Sequence, residues 1–268
     1  MGQRQIKEIK RIILKIGTSS ITYENGNINL RKMEVLSRII SDLNSSGREV
    51  VLVSSGAIGA GMDQMGLVEK PKDLKMKQAA AAVGQAILMQ LYQKFFAEYN
   101  KNIAQILLTS DVFNNPIKKS NTYNTINTLF SMGIVPIVNE NDCISTDEID
   151  GDRFGDNDTL SAMVAVLVQA DLLIILSDVE GLCDGNPCKV DNAKLITYID
   201  SITDEIIALA ENTDNHLGTG GMITKLNAAQ IASKNGISTV LTNSKDLQNI
   251  YDILEGKDVG TYICGQKS

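Results

Sequence analysis

The segment GTGGMITK, from Gly218 to Lys225, places three glycines and a lysine directly before a run with helical periodicity. Glycines let backbone N–H groups approach an anion closely, and the first turn of a helix carries a partial positive charge that favours one. A lysine at the start of a helix opposes that charge unless an anion is bound. The residue types and their spacing therefore indicate a phosphate-binding loop with Lys225 at the phosphate.

A second glycine-rich stretch, GAIGAG at residues 56–61, follows an apolar run in the same way. Its spacing, GxxGxG, is the reverse of the dinucleotide fingerprint GxGxxG, which disfavours a Rossmann dehydrogenase. GTGGMITK likewise does not match the P-loop pattern GxxxxGK[ST]. For both stretches the alternative stays open that the glycines only make tight turns between a strand and a helix.

Two further groups of charged residues are candidates for chemistry. Lys15 stands at the end of an apolar run, where it is either a functional cation or a solvated lysine. Residues 139–158, NENDCISTDEIDGDRFGDND, are rich in Asp, Glu and Asn, and both ends adjoin apolar runs. Carboxylates held there could bind an ammonium group or Mg²⁺. The alternative is an acidic loop that is simply solvated.

Composition argues against several classes of function. The chain has 268 residues, a net charge of −7, one histidine (His216) and four cysteines without a CxxC spacing. A typical zinc site, a Ser-His-Asp or Cys-His hydrolase and a broad nucleic-acid surface are therefore disfavoured. No apolar stretch approaches the roughly 20 residues of a membrane helix, and the first residues lack an apolar secretion segment. We expect a cytoplasmic protein.

The candidate residues must be positioned by strands and helices that alternate along the chain. Apolar, β-branched runs separated by helix-like segments are typical of an α/β fold with a mainly parallel sheet. We predict strands at residues 11–17, 48–55, 103–109, 133–139, 171–177, 237–242 and 261–265. We predict helices at 30–47, ending at Gly47, and at 74–99, 119–132, 158–169, 202–212, 222–235 and 246–254. Such sheets bind ligands where strands end and helices begin.

Residues 1–268 are expected to form a single domain, because no repeat, low-complexity tract or flexible linker separates parts of the chain. Within it we place two lobes, with the boundary near residue 170. Residues 180–199 have turn residues between short apolar runs, which predicts a hairpin after the strand at 171–177.

Six motifs occur in order along the chain: KIGTSS, VSSGAIGAG, NEND, FGDNDTLSA, SDVEGL and GTGGMITK. Together they resemble the glutamate 5-kinases of the amino acid kinase family, over about residues 9–264. The resemblance implies a three-layer αβα sandwich with a mainly parallel central sheet. It implies that ATP and Mg²⁺ are used to form γ-glutamyl 5-phosphate from L-glutamate, the first step of proline biosynthesis. Residues 1–170 would then bind glutamate and residues 171–268 would bind ATP.

The resemblance also implies partners and limits. A homo-oligomer, either a dimer or a tetramer, is expected, with proline as a feedback inhibitor and with no nucleic-acid or membrane partner. Many members carry a C-terminal PUA domain, and because the chain stops at Ser268 we expect the form without it.

Carried over residue by residue, the resemblance implies three groups of site residues. Lys15, Lys225 and Asp158 would be catalytic, with Asp158 organising the two lysines. Ser55, Asp142 and Asn157 would contact glutamate. ATP would be bound by Lys15, Ser177, Asp178 and the loop residues Thr219, Gly220, Gly221, Met222, Ile223, Thr224 and Lys225. No side chain is assigned as a metal ligand.

Two departures from the family pattern affect these assignments. The nucleotide-side pattern DxxGLYT reads DVEGLCD here, so Cys183 replaces an aromatic residue and the packing near the nucleotide is less well defined. The acidic loop before GDND is longer than in some relatives, and its inner acidic residues therefore receive no role.

A carboxylate acceptor suits a chain with one histidine. With a reference pKa of about 4.3 the acceptor is already ionised at neutral pH and needs no general base. N-acetylglutamate kinase, aspartokinase and uridylate kinase are alternatives on the same fold, and NEND together with GDND separates glutamate 5-kinase from them. A non-catalytic nucleotide or amino-acid sensor and an acidic interaction protein are alternatives of other classes.

Overall fold

This computed structural model describes residues 4, 6, 8–23, 26–69, 71–144, 156–185, 193–213 and 221–266. Its strands are β1 (Arg11–Ile16), β2 (Glu49–Ser54), β3 (Ile103–Leu108), β4 (Val135–Glu140), β5 (Leu172–Ser177), β6 (Tyr198–Ile199), β7 (Ser238–Asn243) and β8 (Thr261–Ile263). Its helices are α1 (Thr18–Ile21), α2 (Leu30–Ser45), α3 (Ala57–Gln64), α4 (Leu74–Ala97), α5 (Asp111–Asn114), α6 (Pro116–Ser131), α7 (Asn157–Val168), α8 (Asp204–Thr213), α9 (Met222–Ser233) and α10 (Asn249–Leu254).

The strands form one eight-stranded sheet in the order β3-β4-β2-β1-β5-β7-β8-β6. The pairs β2 and β4, β3 and β4, β5 and β7, and β6 and β8 are parallel, whereas β7 and β8 are antiparallel. Helices flank this sheet. The predicted α/β fold, a three-layer αβα sandwich with a mainly parallel central sheet, is therefore confirmed.

All seven predicted strands are present, with ends within two residues of the prediction. Their apolar runs were informative because they are buried, as along the whole of β5. The two-residue strand β6 was not predicted, since two residues carry no periodicity. It lies at the end of the predicted hairpin, in which Cys183 and Leu195 pair in antiparallel fashion. Residues 186–192, between them, lie outside the described residues.

The ends of the helices depend on capping. Gly47 follows α2 with φ of 89°, and hydrogen bonds from Gly47 N to Asn44 O (3.1 Å) and from Arg48 N to Leu43 O (3.0 Å) close a Schellman motif. This is the predicted end of α2. Helix α6 begins three residues earlier than predicted, because the side chain of Asn115 caps it and proline is tolerated in the first turn.

Contacts divide the chain into two compact units, a central unit (residues 16–157) and a terminal unit (residues 1–15 and 158–268). The division falls between Asn157 and Asp158, the first two residues of α7, so most of α7 and all of β5 lie in the same unit as most of β1. Asp171, between α7 and β5, fixes this arrangement. Its Oδ2 accepts hydrogen bonds from the backbone N–H groups of Lys10 (2.9 Å) and Arg11 (2.7 Å), and its own N–H donates to Arg11 O (2.9 Å).

In the central unit, helices α3 and α4 pack with their backbones in contact. A Cβ atom at Gly61 would lie 1.8 Å from Ala80 O, and one at Gly84 would lie 1.7 Å from Ala57 O. Gly56, the N-cap of α3, has φ of 99°, a left-handed conformation that favours glycine. Gly56 and Gly61 of GAIGAG therefore have the structural role that the sequence had left as the alternative.

In the terminal unit, the first turn of α7 is held firmly. Helix α7 is buried along nearly all of its described surface, including Asp158, and an apolar helix of this kind needs cover on most sides. Asp158 therefore projects from a helix that has little freedom to rotate. Among the described residues, no helix is long and apolar enough to cross a membrane.

Candidate active site

Three charged side chains from distant parts of the chain meet in the terminal unit. We call Lys15, Asp158 and Lys225 the lysine–aspartate cluster. Lys15 Nζ lies 2.6 Å from Asp158 Oδ1, and Lys225 Nζ lies 3.3 Å from Asp158 Oδ2. They come from β1, from the start of α7 and from the first turns of α9. One carboxylate therefore pairs with two ammonium groups, the arrangement that the family resemblance implies.

The cluster is buried, so each of its charges is costly unless it is paired. Lys15 is 7% exposed, Lys225 6% and Asp158 1%. Burial acts to raise the pKa of Asp158, but the charges of Lys15 and Lys225 and hydrogen bonds from Lys15 and Thr224 outweigh it, so the pKa lies below the ordinary 3.8. Asp158 is thus a carboxylate at neutral pH.

Thr224 has a partner that sequence reasoning missed. Its hydroxyl lies 2.8 Å from Asp158 Oδ2 and 2.9 Å from Gly221 O. The residue therefore steadies the same carboxylate that binds the lysines. Thr224 immediately precedes Lys225 in the sequence, so it was a visible candidate. The sequence does not show, however, that its hydroxyl points towards Asp158.

The loop before α9 is only partly described. Gly221 is the N-cap of α9 and provides no side-chain cap, and Lys225 Nζ lies 3.5 Å from Gly221 O. An N-terminus of this kind favours an anion. Met222, Ile223 and Thr224 form the first turn of α9. Thr219 and Gly220, which were also expected to bind ATP, lie outside the described residues, as does Gly218.

The other residues expected to bind ATP lie at the end of β5. Ser177 is buried, and its hydroxyl donates a hydrogen bond to Oδ1 of the exposed Asp178 (2.9 Å). Ser177 is the register partner of Asn243 in the parallel pair β5 and β7, and its carbonyl accepts from Ser244 N (2.6 Å). The carboxyl ends of two strands are thus tied together here, in the position where such sheets bind ligands.

Cys183, which replaces the aromatic residue of the family pattern, is half-buried. Burial raises the pKa of its thiol, and the charges of Asp184 and Glu180 raise it further. A raised pKa favours the neutral thiol, the form in which cysteine packs like a small apolar residue.

A second polar cluster lies in the central unit. Asn157 Nδ2 lies 2.7 Å from Ser55 Oγ, 2.9 Å from Asn139 Oδ1 and 3.3 Å from Ser54 O. Asn139 Nδ2 in turn donates to Gln85 Oε1 (2.9 Å). We call Ser55, Gln85, Asn139 and Asn157 the amide cluster. It brings together two of the three residues expected to contact glutamate.

The parallel strands explain why these side chains meet. Leu52 and Val53 of β2 are register partners of Ile137 and Val138 of β4, which brings the next residues, Ser54 and Asn139, to the same edge. Asp142, the third residue expected to contact glutamate, is half-buried in the turn after β4. Residues 145–155, between this turn and α7, lie outside the described residues.

Two members of the amide cluster were not singled out from the sequence. Asn139 belongs to the NEND motif, but no separate role was assigned to it. Gln85 carried a weaker signal: it shares the buried face of α4 with Ala81, Leu88 and Tyr92, where a polar residue is unusual. Its partner is 54 positions away along the chain, which no local pattern reveals.

We expect Asp158→Asn to lower the free energy of unfolding by about 3 kcal/mol near neutral pH, because two buried ammonium groups lose their counter-charge. Chemical denaturation measures this. Since the folded pKa of Asp158 is depressed, its stabilising effect is complete above pH 3.8 and is lost as the pH falls through the lower folded value. The difference between wild type and variant should therefore shrink only below about pH 4.

The control is the pair of exposed Lys257 and half-buried Asp252 at the surface, whose charged atoms lie 2.6 Å apart. Asp252→Asn is expected to cost less than about 1 kcal/mol. An equal loss in both variants would contradict a special role for the buried carboxylate.

Comparison with known proteins places these clusters in a family. A model of the amino acid kinase family matches residues 10–243. The glutamate 5-kinase of Clostridium perfringens is 50% identical over 266 residues, covering 99% of each chain. The glutamate 5-kinase of Lactococcus lactis subsp. lactis is 48% identical over 264 residues, covering 98% of each chain.

Solved structures agree on the fold. A carbamate kinase from Giardia lamblia bound to AMP-PNP has a TM-score of 0.68 and 19% identity, covering 96% of this chain and 99% of its own. A UMP kinase from Ureaplasma parvum has a TM-score of 0.64 and 16% identity, with the same coverage. At identities this low, the similarity supports a shared fold and nothing more. The family model and the close sequence relatives establish the membership itself: the chain belongs to the amino acid kinase family.

Proposed function

We propose that this chain transfers the γ-phosphate of ATP to the γ-carboxylate of L-glutamate, forming γ-glutamyl 5-phosphate for proline biosynthesis. The observation that carries the proposal is the pair of buried ammonium groups, Lys15 and Lys225, held by Asp158. Relatives about 50% identical over nearly the whole chain are glutamate 5-kinases, which supports glutamate as the acceptor.

The main barrier to this reaction is electrostatic. The acceptor carboxylate is ionised at neutral pH and must approach phosphates that are also negative. Two lysines and one aspartate leave the cluster with a net positive charge. An ammonium group carries three N–H donors, and phosphate oxygens are acceptors that suit them. The cluster can therefore stabilise charge on the transferring group.

Asp158 is a positioning group in this scheme. Its depressed pKa keeps it anionic, and its two oxygens hold the ammonium groups of Lys15 and Lys225 in place through charge-assisted hydrogen bonds. Thr224 adds a hydrogen bond to the same carboxylate. The carboxylate is thus the part of the cluster that determines the geometry of both cations.

ATP is proposed to bind through the lysine–aspartate cluster, through Ser177 and Asp178, and through the loop Thr219–Lys225. When bound with ATP, Mg²⁺ would neutralise charge on the phosphate oxygens. Among the described residues, no group of three or more His, Cys, Asp or Glu side chains could hold a metal. Mg²⁺ in kinase sites is usually held by phosphates, waters and one or two carboxylates, so the residues present fit an ion that arrives with the nucleotide.

Glutamate is proposed to bind in the central unit. Asp142, as a carboxylate, would recognise the α-ammonium group, and Ser55 and Asn157 would supply neutral hydrogen bonds. The glutamate-binding and ATP-binding lobes would then correspond to the central and terminal units. Homo-oligomerisation, proline feedback and a cytoplasmic location stay proposals that rest on the family resemblance.

The proposal is tested by an ATP-consumption panel with purified protein and Mg²⁺. L-Glutamate, N-acetylglutamate, aspartate, carbamate and UMP are supplied separately, and hydroxylamine traps any acyl phosphate. We expect turnover and a trapped γ-hydroxamate with L-glutamate alone. Turnover with N-acetylglutamate or UMP alone would replace the proposed substrate. No turnover with any acceptor, together with measurable ATP binding, would indicate a sensor.

Lys225→Ala should lower kcat for glutamate phosphorylation at least about 100-fold, because one cationic donor to the transferring phosphoryl group is lost. Steady-state kinetics at saturating ATP and glutamate measure the change. Lys234→Ala, at the exposed C-cap of the same helix α9, is the matched control and should leave kcat unchanged. Near-normal turnover in a folded Lys225→Ala variant would remove this lysine from the mechanism.

Asp142→Asn should raise the KM for glutamate by about 10-fold or more, with a smaller effect on kcat, because a charged hydrogen bond to the α-ammonium group is lost. The KM for ATP should not change. Asp63→Asn, at an exposed position of α3, serves as the control. If the glutamate KM of Asp142→Asn equals that of the wild type, Asp142 has no part in recognition.

A further inference from the structure

Gln85 is a buried polar residue that none of the roles above uses. It is 8% exposed and lies on the face of α4 that packs inward, between Ala81 and Leu88. Burying an amide costs free energy unless its hydrogen bonds are satisfied. Its Oε1 accepts a hydrogen bond from Asn139 Nδ2 at 2.9 Å, so it is tied to the amide cluster.

The direction of the hydrogen bonds in this cluster is set at one end. The carbonyl of Ser54 can only accept, so the atom of Asn157 that lies 3.3 Å from it must be the Nδ2 donor. Asn139 must then present Oδ1 to Asn157, at 2.9 Å, and its own Nδ2 must seek an acceptor elsewhere. Gln85 Oε1 is that acceptor. Ser54 O therefore fixes the direction of the chain of hydrogen bonds, and Gln85 Oε1 is the acceptor that completes it at the other end.

This orientation decides which atom of Asn157 is left over. With Nδ2 engaged, Asn157 Oδ1 is buried and has no hydrogen-bond partner among the described residues. An unsatisfied buried acceptor is costly, and a donor from a ligand would remove the cost. Ser55 Oγ accepts from Asn157, which leaves the Ser55 hydroxyl hydrogen to donate in another direction. Asn157 thus offers an acceptor and Ser55 a donor.

Helix α4 is held in place on both sides of Gln85. At the preceding residue, Gly84, the backbone of α4 touches α3 so closely that a Cβ would lie 1.7 Å from Ala57 O. Two turns later, the hydroxyl of Tyr92 lies 2.8 Å from Ser54 Oγ in the core. Burial, opposed by the Ser54 hydrogen bond, raises the pKa of Tyr92 to about 12, so it stays neutral. Gln85 is therefore fixed relative to the β2 end that carries Ser54 and Ser55.

We infer that Gln85 is a positioning residue for substrate recognition: through Asn139 it holds the amide of Asn157 so that Oδ1 accepts from the α-ammonium group of glutamate. An ammonium group has three donors and no acceptor, so it requires this orientation. If the Gln85 acceptor is removed, Asn139 Nδ2 loses its hydrogen-bond partner. The amide of Asn139 is then free to rotate, and its Oδ1 is no longer held towards Asn157 Nδ2. The inference rests on the proposed function.

The test uses Gln85→Met, which keeps the length of the side chain but removes the acceptor. We expect the KM for glutamate to rise about 10-fold, the effect of roughly one hydrogen bond, while kcat and the KM for ATP stay within about 3-fold of wild type. Glutarate, which is glutamate without its α-amino group, cannot donate a hydrogen bond to Asn157 Oδ1 and so serves as the comparison ligand. Its inhibition constant against glutamate should be the same in wild type and variant.

Gln93→Met, at an exposed position of the same helix, is the matched control and should leave every constant unchanged. Should Gln85→Met not fold, Gln85→Asn keeps an amide at this position but is one methylene too short to reach Asn139, and it is expected to give the same selective rise in KM. Thermal unfolding of each variant shows which preparations are folded.

The outcomes separate the inference from the proposed function. A wild-type chain without glutamate-dependent turnover overturns the proposed function and the inference with it. An active wild type with an unchanged glutamate KM in folded Gln85→Met overturns the inference alone. So does an equal weakening of glutamate and glutarate, or a parallel loss of kcat, since either would mean general damage to the site rather than loss of an oriented acceptor.

Discussion

The carboxylate of Asp158 is the constraint on which the candidate site depends. Lys225 and Lys15, 6% and 7% exposed, both pair with this one carboxylate in the interior of the terminal unit, where a buried charge is costly unless it is paired. Asp158 supplies that anion from a helix that is packed on most sides. Burying these three charges thus fixes the positions of two cations.

The amide cluster of the central unit follows a different principle. Its members are neutral, and their positions depend on hydrogen-bond direction rather than on charge. A zwitterionic substrate needs both donors and acceptors around it, whereas a transferring phosphoryl group mainly needs cations. Asn157 and Asp158 are consecutive residues at the start of α7, so one helix end supplies a member of each cluster.

The strands and Lys225 could be predicted from the sequence because their signals are local: apolar β-branched runs for the strands and a glycine-rich helix start for Lys225. The role of Asp158 was implied only by the family resemblance, because an acidic segment by itself is equally typical of a solvated loop. The contacts that define the units are not local. Asp171 binds backbone groups 160 and 161 positions earlier, and this links β1 to the terminal unit in a way that no window of sequence shows.

The two glycine-rich loops show which observation distinguishes a ligand-binding glycine loop from one that only makes a tight turn. In GAIGAG, the reasons for glycine are a left-handed φ at Gly56 and helix contact at Gly61. In GTGGMITK, Gly221 opens α9 with an ordinary extended conformation, and the residue that distinguishes the loop is the buried Lys225 four positions later. Glycine spacing alone could not separate these cases. A buried cation beside a helix N-terminus does separate them, because a charge in the interior has to be paired with an opposite charge, here the carboxylate of Asp158.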